Sequence, residues 1–216
     1  MKKLFLTVAS LLMVGATYSQ DIFLGPKIGV NWATLTGRDP LYDKKFMTGF
    51  NLGATMNISI NDRFSIQPEL FFSQQGYRAD REIENLEATT VQTLNYIKVP
   101  VLARYTFGEG DLRAYVNLGP YLGFMVGGRE RVDIDGREVS EEEIDFDIQH
   151  ELNRMDFGIA LGGGALFRAG EGDLMLDLRY GFGLMAVSDE VIFEAGRDAN
   201  SVWSLSVGYL FPMGTP

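Results

Sequence analysis

Apolar and polar residues alternate along most of the chain with a period of two. From Phe46 the even positions run Phe46, Thr48, Phe50, Leu52, Ala54, Met56, Ile58 and Ile60, whereas the odd ones are Met47, Gly49, Asn51, Gly53, Thr55, Asn57 and Ser59. Successive strand side chains point to opposite faces, so the run predicts a strand with one apolar and one small or polar face. It is longer than the roughly five or six residues usual for a soluble strand. The same alternation recurs over Ile22–Trp32, Phe64–Phe72, Ile97–Phe107, Leu112–Val126, Met155–Phe167, Leu174–Ala186 and Trp203–Phe211, which makes eight strands. Short, turn-rich links cover 61–63, 108–111 and 169–173, and long polar links cover 34–45, 78–92, 128–151 and 188–200. Tight turns at one end and long loops at the other is the threading of an outer-membrane barrel.

The face opposite the apolar one decides which solvent the apolar face meets. It carries Lys27, Glu69, Lys98, Arg104, Arg113, Arg154, Asp156, Asp177 and Arg179, with Asn51, Asn57, Gln67, Asn117 and many glycines. A soluble surface would use more Lys and Glu and fewer of the glycines that weaken strands. A narrow bore, by contrast, needs small residues so that a few long charged ones fit. Aromatics of the apolar face gather at strand ends. Phe64, Tyr105, Phe107, Phe167, Tyr209 and Phe211 lie near the short turns or the C-terminus, and Trp32, Phe46, Phe124, Phe157, Phe182 and Trp203 near the long loops. Two such bands are the girdles expected at the two membrane interfaces. The expected fold is therefore all-β, an eight-stranded antiparallel up-and-down transmembrane β-barrel over residues 20–216 with its apolar face on lipid.

Eight strands leave a bore that side chains can fill, and an unpaired charge in it would be costly. The inward charges are thus expected to form an ionic plug rather than a conducting path. Asp177 and Arg179 share a face, and Glu69 is expected level with Lys98 or Arg104 on the next strand. Lys27, Glu69, Lys98, Arg104, Asp177 and Arg179 are expected at similar heights.

Residues 1–19 set the compartment. Lys2 and Lys3 precede an apolar run from Leu4 to Gly15, followed by small residues with Thr17 and Ser19 two apart. This is the layout of a cleaved secretory signal, with Gln20 as the first mature residue. Removing it leaves 17 basic against 29 acidic residues, a net charge of −12. That acidity argues against nucleic acid, which needs a basic face. The absence of Cys excludes disulfides, thiolate metal sites and thiol catalysis. No cofactor is expected.

Candidate chemistry is sparse. His150 is the single histidine. Glu151 and Asp156 stand near it in sequence, but no Ser is placed beside them to complete a hydrolytic triad. Between Gly128 and Glu151 ten acids stand against Arg129, Arg131 and Arg137. Asp133, Asp135, Gly136 and Glu142 fall at four positions of a calcium loop, yet its first ligand position holds Arg131. Diffuse contact with a divalent cation is the expectation for this acidic loop, 128–151, beside that of a solvated surface.

Several short stretches together resemble one family. They are Lys27-Ile28-Gly29-Val30-Asn31, Gln67-Pro68-Glu69-Leu70-Phe71-Phe72-Ser73-Gln74-Gln75-Gly76, Tyr96-Ile97-Lys98-Val99-Pro100-Val101-Leu102, Gly119-Pro120-Tyr121-Leu122-Gly123, Asp156-Phe157-Gly158-Ile159 with Gly162-Gly163-Gly164, and Asp177-Leu178-Arg179-Tyr180. The chain resembles the PorT-like outer-membrane β-barrel proteins of Bacteroidetes-type Gram-negative bacteria. The resemblance implies the barrel fold and the outer membrane, and no shared activity. The leading expectation is a non-enzymatic structural or surface-interaction barrel, in contact with outer-membrane lipid and meeting a protein partner at its loops. A small passive channel is the alternative, and a lipid-modifying hydrolase centred on His150 the third reading.

Overall fold

A computed structural model describes residues 21–36, 43–83, 86–134, 137–143, 154–186 and 199–213. Among these the strands are β1 (Ile22–Leu35), β2 (Asp43–Ser59), β3 (Phe64–Ile83), β4 (Leu86–Phe107), β5 (Leu112–Ile134), β6 (Arg137–Glu143), β7 (Met155–Ala169), β8 (Gly172–Ala186) and β9 (Ala199–Pro212). The export signal expected at 1–19 lies outside the described residues.

All pairings are antiparallel, and each barrel strand pairs with its neighbours in sequence. β1 pairs with both β2 and β9, and β4 pairs with β5 to close the ring. Eight strands make the ring, and β6 joins only the outer part of β5. The ninth strand departs from the eight expected, because part of the long 128–151 link is itself paired. Arg129 faces Glu143 and Arg131 faces Glu141 across that hairpin. The 78–92 link differs in the same way, since Arg78 to Ile83 pair with Leu86 to Val91 as a continuation of β3 and β4. These extensions lie beyond the lipid-facing band, so no apolar face marks them in the sequence.

The register fixes the bore. One outward row runs from Phe124 through Ile97, Phe72, Leu52, Ile28, Val207, Leu176 and Ala165 to Ala114. It returns to β5 ten residues below its start, Phe124 against Ala114. Eight strands with that stagger, at standard strand spacings, tilt by about 41° and enclose a backbone cylinder about 17 Å across. Side chains from opposite walls meet in such a bore.

Exposure follows the alternation. Ile28, Leu52 and Leu118 are 59%, 52% and 52% exposed, whereas Lys27, Glu69 and Asp177 are 6%, 4% and 0% exposed. The apolar side chains thus face outward and the charged ones fill the interior, the inverse of a soluble barrel. Phe64 packs edge-on against Tyr105 at 4.7 Å, Tyr105 against Phe107 at 4.6 Å and Tyr209 against Phe211 at 4.6 Å, all near the short-turn end. Phe167 lies exposed at that same end, near the close of β7. Towards the long-loop end Trp32 sits opposite Trp203, which stacks on Tyr180 at 4.9 Å. An arginine at mid-height of the outward face would sit in hydrocarbon. Leu52→Arg and Leu118→Arg should each cost about 2–4 kcal/mol of unfolding free energy in lipid bilayers, measured by denaturant titration against wild type.

Candidate functional site

The interior side chains form layers along the barrel axis, and small residues on neighbouring strands make room for each large one. Lys27 of β1 lies between Gly53 of β2 and Gly208 of β9 in the register. With no side chain at Gly53, Lys27 reaches over β2 to Glu69 of β3, its Nζ 3.2 Å from Oε1, and also contacts Asp177 Oδ1 of β8 at 3.0 Å. Arg179, beside Gly162 and Ser204, crosses the bore to grip Glu69 with both terminal nitrogens and meets Asp177 at 3.1 Å. The Tyr115 hydroxyl donates to Asp177 at 2.8 Å, and Asn117 donates to it at 3.3 Å. Gln67 donates to Glu69. Two cations and two carboxylates thus form a closed, neutral layer.

A second pair stands nearer the long loops. Lys98 Nζ lies 2.9 Å from Asp156 Oδ2, donates to Gln75 at 3.1 Å and sits 4.1 Å from the centre of the Tyr121 ring. Tyr121 occupies the space over Gly158, where a Cβ would come within 2.5 Å of its phenol. Above this pair Leu35, Leu94, Tyr96 and Met125 close an apolar cluster. Towards the short turns, Arg104 stacks on Tyr115 with its guanidinium carbon 3.6 Å from the ring centre. Arg113 pairs with Asp173, which Arg168 also approaches at 4.0 Å.

The inward charges therefore lie at several heights rather than one. Glu69 falls between Lys98 and Arg104 in the β3–β4 register, and its ion-pair partners are Lys27 and Arg179. Lys98 stands opposite Phe71 and Arg104 opposite Ser65, and the partners of Glu69 come from β1 and β8. Arg154 does not join the interior set, because it precedes the first residue of β7 and its side chain is exposed. Its carbonyl accepts a hydrogen bond from the Met125 amide at 2.7 Å. Asp173, Gln75 and Tyr96 belong to the interior but were not expected there. Asp173 shares the parity of Asp177, the one signal in sequence that places it.

The outer extension carries its own charges. Arg129 pairs with Glu141 at 2.8 Å and Arg131 with Asp133 at 3.2 Å, beside a groove of about 630 Å³ that also touches Thr93 and Asn95. Asp133 stands opposite Glu138 in a hairpin, a geometry unlike a loop wrapped around calcium. His150, Glu151 and the acids at 145 and 147 lie outside the described residues. Among the described residues no group of three or more His, Asp or Glu could hold a metal ion. On β3, Asp80 accepts from Lys45 at 2.8 Å, Arg78 at 2.9 Å and Thr89 at 2.9 Å. The bonds from Lys45 and then Arg78 hold its carboxyl at about 2, below the ordinary value near 3.8.

A family model described as "Outer membrane protein beta-barrel domain" matches residues 18–189. No curated protein matches the chain. Among solved structures, the outer membrane protein OprG of Pseudomonas aeruginosa aligns with a TM-score of 0.51 and 9% identity, covering 91% of this chain and 98% of that one. Ail, the attachment invasion locus protein of Yersinia pestis, aligns at 0.40 and 17%, covering 88% and 98%. Neisserial surface protein A aligns at 0.46 and 16%, covering 87% and 96%. The likeness to OprG is one of fold.

Removing Glu69 would leave Lys27 and Arg179 facing each other with Asp177 alone between them. Glu69→Ala should lower stability by about 3–5 kcal/mol, whereas Glu130→Ala in the outer hairpin should change it little, both measured by denaturant unfolding in bilayers. Asp80 responds to acid in a defined direction. Its folded pKa is depressed, so its contribution is complete above about pH 4 and is lost as pH falls through about 2. Amide exchange at Arg78–Asp80, corrected for intrinsic rate, should accelerate over that window in wild type and stay flat in Asp80→Asn.

Proposed function

Since the chain belongs to the outer membrane protein beta-barrel domain family, an integral barrel of the Gram-negative outer membrane, we propose that it acts there without catalysis, as a sealed barrel that presents its long-loop end to partners outside the cell. The observation that carries this reading is the neutral layer of Lys27, Glu69, Asp177 and Arg179, whose ion pairs span the bore at 2.5–3.2 Å. A bore about 17 Å across between backbones has no spare width once these side chains meet in it. Ion flow would need the layer to open, and each separated charge would then lose its partner in a confined space.

The residues available to a partner stand on the outer extension. Val139 is exposed on β6, and Glu138, Glu141, Glu142 and Glu143 surround it. In this reading the first 19 residues are the export signal, both ends of the mature chain are periplasmic, and the short turns at 61–63, 108–111 and 169–173 face the periplasm. The interior stretches around Lys27, Glu69, Lys98 and Asp177 support assignment to the PorT-like kind of barrel. The acidic hairpin favours weak contact with divalent cations at the outer leaflet.

The natural absence of Cys makes the topology directly testable. A membrane-impermeant maleimide should label Val139→Cys on intact cells and leave Asp62→Cys unlabelled until the outer membrane is permeabilised. The reverse pattern would invert the barrel. Planar-bilayer recordings of the wild type should show no steady conductance, and a reproducible open state would replace the sealed reading with a channel.

A further inference from the structure

Pairing the interior charges layer by layer leaves one cation over. Lys98 has Asp156, and Lys27 and Arg179 share Glu69 and Asp177. Arg104 is only 2% exposed, and among the described residues no carboxylate lies within ion-pair distance of it. Its polar contacts are the thioether of Met175, 3.2 Å from a terminal nitrogen, and the phenol of Tyr115 on which it stacks, both neutral groups, and sulfur is a weak acceptor. Its Nε is buried with no partner. A buried guanidinium in that condition is costly unless an anion or water completes it.

The space for such a group lies beside it. A cavity of about 60 Å³ at the short-turn mouth is lined by Arg104, Arg113, Arg63, Asn57 and Ser65, together with Asp62 and Asp173. Arg113 Nε is likewise buried without a partner. Asp62 and Asp173 set two carboxylates against the three arginines of this lining, and Asp173 is already held by Arg113 and approached by Arg168, so one positive charge is left over. Asn57 donates to the Ser65 hydroxyl at 2.8 Å, which sets a neutral hydrogen-bonding pair on the wall between the arginines. The volume suits a few waters or one tetrahedral oxyanion, and planar guanidinium groups match two oxygens of such an anion at once.

We propose that this mouth is a binding site for a small oxyanion of the phosphate type, held by Arg104 from the interior and Arg113 from the rim. The site lies on the short-turn side of the neutral ionic layer, so occupancy is independent of whether the barrel conducts. The anion supplies the counter-charge that Arg104 lacks and fixes the guanidinium against Tyr115.

The test uses the full mature chain in nanodiscs of uncharged phosphatidylcholine, in buffer free of polyatomic anions. Inorganic phosphate should raise the thermal midpoint in a saturable way, and chloride at equal ionic strength should not. Arg104→Met keeps the aliphatic stem and removes the lone buried charge. It should abolish the phosphate response while its midpoint without phosphate stays at or above that of wild type. Arg113→Gln should weaken half-saturation by about tenfold or more, the loss of one charge-assisted hydrogen bond. Equal shifts with phosphate and chloride, or a phosphate response that survives Arg104→Met, would overturn the site. Should Arg104→Met not fold, Asn57→Leu carries the test, because it keeps the cation and removes a neutral wall donor. Weaker half-saturation in that variant supports the site, and an unchanged one overturns it.

Discussion

Hydrocarbon offers no hydrogen bonds, so every backbone N–H and C=O within the membrane must find its partner in the chain itself. A sheet meets that demand only by closing, and the β4–β5 pairing is the seam at which this one closes. Closure with eight strands and a stagger of ten residues then sets the bore at about 17 Å. Everything inside follows from that width. The interior is too narrow for a bulk-like water column and wide enough for one layer of crossed side chains. A charge placed there must be answered by another within reach, and the network of Lys27, Glu69, Asp177 and Arg179 meets that requirement from β1, β3 and β8 together.

The same network argues for register more than for stability. Buried ion pairs often contribute little net free energy, because desolvation offsets their attraction, whereas breaking one is expensive. A slip of one residue in any barrel strand would turn its inward charges towards lipid and its leucines into the bore. In β8 such a slip would carry Asp177 and Arg179 outward and Leu176 and Leu178 inward. The glycines reinforce this selection. Gly164 lies opposite Asp177 on β7, and a Cβ there would come within 2.7 Å of the Tyr115 hydroxyl that donates to Asp177. Only the native register sets each large interior group against a vacancy of the right kind.

The wall was legible in the sequence for the same physical reason. Lipid on one side and a polar bore on the other force the period-two alternation, and Phe50 to Ile60 displays it clearly. Partners across the bore were not legible, because they depend on the stagger, which no single strand records. Glu69 meets Lys27 and Arg179, far away in sequence, rather than neighbours on the adjacent strand. Strand ends beyond the membrane were hidden for a complementary reason. On the phase that faces lipid lower in β3 and β4, this extension carries Arg78, Asp80 and Thr89, so Thr89, Thr90 and Val91 pair as strand residues without an apolar stripe to announce them. Arg154 shows the limit of parity, since it shares the phase of Asp156 but stands before the strand begins.

The outer hairpin poses a different electrostatic problem from the bore. There β6 pairs with β5 alone among the described residues, and a strand paired on one side is the kind that can recruit another chain. Its composition answers that hazard. Arg129 and Arg131 on β5 stand opposite Glu143 and Glu141, so the pairing within the hairpin is attractive, and Arg129 reaches Glu141 diagonally at 2.8 Å. Glu142 instead faces Glu130, a like-charge pair that weakens the hairpin locally. That cost is consistent with an edge built to repel. A second copy approaching β6 edge to edge would set Glu138, Glu141, Glu142 and Glu143 against the same four acids, with Arg137 the single cation of the strand. Inside the barrel, charges of opposite sign are brought together because solvent is scarce. At the outer edge, charges of one sign are left together because solvent is plentiful, and there their repulsion keeps the sheet from growing.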